Sequence, residues 1–330
     1  MAKALDLQQD SALPKAGGPA ARTPSTLFAL IWHVSARHQF WLAVLSVLVL
    51  GAALVPLELQ RRIVNEAFVG GSVDTIFALA LLYAAVAVAA GALKLALNVY
   101  RSYVSENAVR WLRATLLDDL CCLPLERRGP NAEGTEVSLV LQEADPIGSF
   151  VGVSLSEPLL QGGVLIGIFG YMVYLQPLMA LIALAVFSPQ FVFVPLMQQA
   201  INRRVVSRIG MLRQISGGII SQPDGGAAAR TPQEVRIQEV FGLNMSVFRL
   251  KFSMNFLMNL MHHLGIAAIL AVGGYHVVKG QLEVGSVVAF VSGLAQINDP
   301  WGDLVNWFRD LKVTNAKYAL ISDAVRRLRA

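Results

Sequence analysis

Three sets of polar residues interrupt otherwise apolar stretches, and each has a spacing that could support chemistry. Lys94, Asn98, Arg101 and Ser105 recur at i, i+4, i+7 and i+11, so a helix would carry all four on one face. Such a row of donors could line a cavity for an anionic or zwitterionic substrate. Equally, Lys94 falls near the end of its apolar run, where a lysine snorkels to headgroups. Asn255, Asn259 and His262 form a second stripe, with Met254, Met258 and Met261 beside it. Thioether surfaces adapt to varied apolar ligands, while Asn and His also hydrogen-bond neighbouring membrane helices. Asp299 and Asp303 form the third set, one helical turn apart, with Pro300 loosening the backbone beside them. Carboxylates inside hydrocarbon are costly and mark ion or substrate paths; on a helix already emerging into water they are simply solvated.

Other chemistries lack their residues. His262 and His263 are adjacent, so on a helix they point about 100° apart, and no Asp, Glu or Cys stands nearby to complete a metal site. Cys121 and Cys122 are also adjacent, which suits neither a disulfide nor a CxxC redox pair. No nucleophile elbow is present. The string GxxxxGK[ST], whose backbone amides and lysine cradle nucleotide phosphates, occurs nowhere in the 330 residues. The chain is therefore expected to bind no cofactor or metal and to catalyse nothing by itself.

The elements that must position these residues follow from composition. Hydrophobic residues make up 55% of the chain and charged residues 15%, too little charge to wet the surface of a soluble domain. The net charge of +5 does not gather into a basic patch; the lysines and arginines sit between apolar runs, which excludes a nucleic-acid surface and fits a membrane protein. Residues 1–25 have no apolar period and read as a flexible tail without a signal peptide. Residues 26–39 suit an interfacial elbow helix, capped by Thr23 or Ser25, with Leu27, Leu30, Ile31 and Val34 on one face and Trp32 and Trp41 at headgroup level. Six spans are predicted, at about 40–59, 75–99, 157–175, 178–200, 256–278 and 285–308.

Charge placement orients them. With the tail inside, the three short outer connections carry only Arg61, Arg62 and Lys279, so both termini are expected in the cytoplasm. The two inner connections each exceed fifty residues and keep helical spacing, as in "NVYRSYVSENAVRWLRATLLDDL". They read as helical hairpins extending well beyond the membrane, with tips at "LPLERRGPNAEG" and "PDGGAAARTPQEV".

This layout resembles the transmembrane domain of exporter-type (type IV) ABC transporters over most of the chain, here assigned to residues 40–325 with no nucleotide-binding domain. "LCCLPLERRGPNAEGTEVSLVLQEADPIGSFV", with Gly134 and Asp145, is similar to the family's first cytoplasmic hairpin. "TPQEVRIQEVFGLNMSVFRLKF" is similar to the return helix of the second, and the segment from "GQLEVGSVVAF" through Pro300 to "YALISDAV" to the last helix. The resemblance implies an all-α membrane protein of six long transmembrane helices with cytoplasmic helical extensions. It implies coupling helices at the two tips, on Leu125, Glu126, Arg127, Arg128 and Asn131 and on Pro232, Gln233, Glu234 and Arg236. Pro223, Gly225, Gly226 and Pro232 are expected to interrupt the second, a departure from the family.

What the resemblance implies about function is a multi-pass permease subunit in the bacterial plasma (inner) membrane. It would pair with a second transmembrane subunit of the same or a related sequence, move an amphipathic or apolar substrate, and dock separate nucleotide-binding subunits that hold ATP and Mg2+. "ISGGIISQ" is faintly similar to the ATPase signature but stands between membrane helices and reads as a flexible glycine pair. Two alternatives stay open: a motor-less transporter driven by protons on Asp299 and Asp303 or on Glu58 and Glu66, and a membrane scaffold or sensor. The terminal "WFRDLKVTNAKYALISDAVRRLRA" reads as the inner run-out of the last crossing, with Leu311, Asn315, Tyr318 and Ile321 facing the bundle. The motor is expected in another protein, or to be absent.

Overall fold

The computed structural model describes residues 24–121, 144–221 and 227–329. Those residues form nine helices and no strand: α1 (Leu27–Val69), α2 (Val73–Cys121), α3 (Ala144–Val153), α4 (Ser156–Leu175), α5 (Pro177–Phe187), α6 (Gln190–Ser221), α7 (Ala227–Val278), α8 (Val284–Ala295) and α9 (Asn298–Arg329). Two compact units result. One contains residues up to Ile168 together with Asp299 onward; the other runs from Phe169 to Asn298.

Helix length is the dominant feature. At 1.5 Å per residue, the 49 residues of α2 and the 52 of α7 extend roughly 73 and 78 Å, more than twice the ~30 Å of a hydrocarbon core. Their apolar halves can cross a bilayer while their charged halves continue beyond it. The short connections are tight turns. Gly70 caps α1 in the left-handed region (φ 78°), donating its N–H to the Glu66 carbonyl, and Gly280 closes the turn after α7 at φ 68°. Both positions require φ values that a side chain disfavours.

Five helical stretches are long and apolar enough to span: Leu27–Val69, Val73–Asp118, Ser156–Leu175, Pro177–Leu212 and Gln233–Val278. The predicted sixth, at 285–308, divides into the 12-residue α8 and the polar start of α9, with the break at Gln296 and Ile297. Pro300 is the cause: it lacks an N–H for the Gln296 carbonyl and its ring crowds that carbonyl. Restarting the helix at Asn298 puts Pro300 in a first turn, where it is tolerated, and Asp299 at the positive end of the helix.

Three further expectations are corrected. Thr26, not Thr23 or Ser25, caps α1, its hydroxyl accepting from Ala29 N at 3.2 Å. Helix α7 runs from Ala227 through Pro232 to Val278, so Pro232 does not interrupt it, while Pro223, Gly225 and Gly226 lie outside the described residues. On α9, Tyr318 and Ile321 are buried as expected and Leu311 is half-buried, but Asn315 is exposed, with Thr314 and Ser322 completing the buried face.

Within the first unit the core gathers around the start of α1. Leu27, Leu30 and Ile31 are buried, and Phe28 and Trp32 on the other side are exposed. The backbone leaves helical geometry at Ser35 (φ −137°, ψ 17°) and then resumes as the first apolar run. Tyr318 reaches back across the sequence to donate its hydroxyl to the Pro24 carbonyl at 2.5 Å, and burial pushes its phenol up to about 12.

Candidate functional site

Two glycine pairs set the helix spacing that the site depends on. Gly148 and Gly152 of α3 sit one turn apart against α2: a side chain at Gly148 would strike the Val109 backbone, and one at Gly152 the Arg101 carbonyl and Ser105 hydroxyl. Gly163 and Gly167 of α4 give room to the side-chain ends of Leu50 and Leu54 of α1, a looser contact than the backbone one between α2 and α3. Small residues at this spacing let helices approach where lipid offers no hydrophobic drive. Polar bonds then fix the register. Ser105 donates to the Ser149 carbonyl at 3.0 Å, Arg113 pairs with Asp145 at 2.6 Å, and Gln39 donates to the Val151 carbonyl at 2.8 Å.

Arg101 is thereby held on the α2 face toward the first turn of α4. Its Nη1 meets Glu157 Oε2 at 2.5 Å. Gln161, one turn along α4, donates from Nε2 to Glu157 Oε1 at 2.8 Å and to Asp303 Oδ2 of α9 at 3.0 Å. Three helices from distant parts of the sequence so share one polar layer. Lys94, Arg101, Glu157 and Asp299 all lie within electrostatic reach of Asp303. Arg101 is 8% exposed, and its Nε and Nη2 are shut from solvent without a hydrogen-bond partner. Lys94, Asn98, Asp299 and Asp303 are exposed.

The layer sits at a definite depth. Arg101 follows the start of α2 at Val73 by roughly 42 Å of helix, beyond the ~30 Å of hydrocarbon. Glu157 stands in the first turn of α4, at the end away from the tight turn at Gln176. Both measures put the layer at or past the end of the apolar runs, on the side where α2 continues as a charged helix. A charged pair there avoids the full cost of mid-membrane burial.

The second stripe belongs to the other unit. On α7, Asn255 and Asn259 are exposed, His262 is half-buried, and Met254, Met258 and Met261 are half-buried beside them. The methionines therefore supply packing and the amides an open polar edge. The rings of His262 and His263 meet edge to face at 5.4 Å. Glu58 is held within α1 by Arg61 and Arg62, at 2.8 and 2.6 Å. Of the coupling positions, Leu125, Glu126, Arg127, Arg128 and Asn131 lie outside the described residues. Pro232, Gln233, Glu234 and Arg236 lie on the first turns of α7, with Glu234 exposed and Gln233 and Arg236 half-buried.

Of the residues that sequence reasoning singled out, the structure brings Lys94, Arg101 and Asp299 within electrostatic reach of Asp303, and leaves Asn98 exposed on α2 between Lys94 and Arg101. Sequence reasoning missed Glu157 and Gln161, although two polar residues one turn apart at the head of an apolar helix were a usable signal. It also missed the GxxxG spacing in "GSFVG" and "GVLIG".

Comparison with known proteins agrees with this architecture. The family model of the ABC transporter transmembrane region matches residues 40–207. The "Uncharacterized ABC transporter ATP-binding protein YfiC" of Bacillus subtilis (strain 168) is 23% identical over 312 residues, covering 88% of this chain and 50% of that protein. Two proteins named "Fatty acid ABC transporter ATP-binding/permease protein", from Mycobacterium bovis (strain ATCC BAA-935 / AF2122/97) and Mycobacterium tuberculosis (strain CDC 1551 / Oshkosh), are each 26% identical over 222 residues, 63% of this chain and 34% of theirs. The chain thus spans half the length or less of these relatives.

Proposed function

The chain belongs to the ABC transporter transmembrane family, and from that premise we propose that it is the permease part of an ABC transporter, building a substrate pathway together with a second transmembrane subunit. ATP and Mg2+ are bound and turned over by nucleotide-binding subunits docked on the far ends of the α2 and α7 extensions, with both termini on that cytoplasmic side. The membrane is a bacterial inner membrane. The cargo is amphipathic or apolar; the fatty acid in the names of two relatives is a molecule of that kind.

One observation carries the reading: long helices with apolar halves continue as charged ones, and a layer of charged residues joins them where the apolar runs end. Stiff helices continuous from membrane to cytoplasm act as levers, so closure of nucleotide-bound domains below would swing the crossings above. The continuity of α7 through Pro232 supports ordinary coupling at that end. The test is to co-express the chain with a nucleotide-binding subunit and measure ATP hydrolysis in nanodiscs. Co-purification with amphiphile-stimulated hydrolysis is the expected result; two proteins that neither associate nor alter each other's rate would refute the proposal.

A further inference from the structure

The charged groups of the polar layer are sorted by helix. Helix α2 contributes donors, Lys94, Asn98 and Arg101, and α9 contributes carboxylates, Asp299 and Asp303. Gln161 of α4 stands between them, holding Asp303 and Glu157 with one amide nitrogen. Around Asp303 the balance is two cations, Lys94 and Arg101, against three carboxylates, Glu157, Asp299 and Asp303 itself. A ligand carrying only an anion would deepen that excess. A ligand carrying only a cation would leave the Nε and Nη2 edge of Arg101 unanswered, since that edge is buried without partners while Nη1 is held by Glu157. That edge of a guanidinium is one that grips a phosphate or carboxylate through two parallel bonds. A head with both charges answers both needs.

Depth and apolar surface agree. An amphiphile keeps its head at the hydrocarbon boundary; Lys94, roughly 32 Å along α2 from Val73, stands at that level and Arg101 just beyond it. Leu95 of α2, beside Lys94, is 65% exposed at that level and offers apolar surface to the start of a chain. We propose that Lys94, Asn98 and Arg101 on α2 and Asp299 and Asp303 on α9 form a head-group site for a zwitterionic amphiphile of the phosphoethanolamine type, with the phosphate on α2 and the ammonium on α9. The site rests on the permease reading. It fills when the sealed Arg101 edge opens, as helices of an alternating pathway part.

The test uses the full chain in detergent and three labelled single-chain probes: lysophosphatidylethanolamine, palmitate and hexadecyltrimethylammonium. The zwitterion should bind roughly tenfold more tightly than either singly charged probe, the scale of one added charge-assisted contact. Asp299→Asn with Asp303→Asn should erase that preference without weakening palmitate, while Lys94→Ala should weaken the zwitterion and palmitate alike. An amide at 303 keeps an acceptor for Gln161. Exposed Asp299 provides a single variant, expected to lose part of the preference, that does not disturb this hydrogen bond. Palmitate or the ammonium probe binding as tightly as the zwitterion, or a zwitterion affinity indifferent to both aspartate changes, would overturn the site. A chain that still stimulates its ATPase but lacks the preference refutes the head-group site alone. Failure to engage any nucleotide-binding subunit refutes the permease reading, whatever the probes do.

Discussion

The two units handle polar residues near membrane depth in opposite ways. In the unit built on α1–α4 and α9, the charged groups are cross-linked: Arg101 to Glu157, and Gln161 to both Glu157 and Asp303. In the unit built on α5–α8, the stripe of Asn255, Asn259 and His262 on α7 carries no carboxylate, lysine or arginine, and Asn255 and Asn259 are left exposed. A full charge near hydrocarbon demands a partner within the fold, because its desolvation cost is several kcal/mol. A neutral amide costs less and can await water, cargo or another helix. The charged unit therefore holds its polar layer through matched partners, and α7 offers an adaptable edge between methionines.

The sharpest way to break this contrast is to remove one member of the buried pair. Arg101→Ala leaves Glu157 without its partner and should cost about 3–5 kcal/mol, read as a large fall in thermal midpoint in detergent. Replacing both residues, Arg101→Met with Glu157→Leu, should recover much of that loss. A single change as mild as an exposed substitution would mean the layer is not structural.

Next come the glycines. Gly148→Leu drives a side chain into the Val109 backbone and should cost about 1–3 kcal/mol. Gly170→Ala, where an added Cβ meets nothing within 4 Å, should instead stabilise by roughly 0.5–1 kcal/mol through helix propensity. Equal effects at the two positions would remove the close α2–α3 contact from the account.

A smaller effect is expected at Tyr318. Tyr318→Phe deletes the bond to the Pro24 carbonyl and should cost about 0.5–1.5 kcal/mol. Its phenol, held near 12 by burial, keeps its proton more tightly in the folded than in the unfolded chain. That contribution is complete below the unfolded value of about 10 and disappears as pH rises through about 12. Spectrophotometric titration should therefore show a late-ionising tyrosine that the Phe variant lacks.

The smallest effect on stability falls in the other unit. Asn259→Ala should change it by less than about 0.5 kcal/mol, yet lower amphiphile-stimulated ATP hydrolysis if the amide edge faces cargo. Destabilisation as large as at Arg101 would erase the distinction between the units.

Much of this was legible in the sequence because helices write their geometry locally. The α2 stripe and the Asp299–Asp303 pair follow from a 3.6-residue period, and the long extensions from apolar runs passing into charged periodic ones. What was illegible depends on contacts remote along the chain. Gln161 and Asp303 lie 142 positions apart, so no local pattern announces their bond. Arg101 looked like one more member of an open donor row; the approach of α3 through Gly152 and the pairing with Glu157 of α4 bury it. The missed break at Gln296 is different in kind. Pro300 was visible and was read as loosening a continuous helix, whereas it starts a new one.

The most direct measurement is movement of a labelled amphiphile across proteoliposomes containing this chain and nucleotide-binding subunits. Transport should require ATP, Mg2+ and both proteins together, and should fall with Lys94→Ala. Transport that proceeds without ATP on an imposed pH gradient, and stops with Asp303→Asn, would contradict the account.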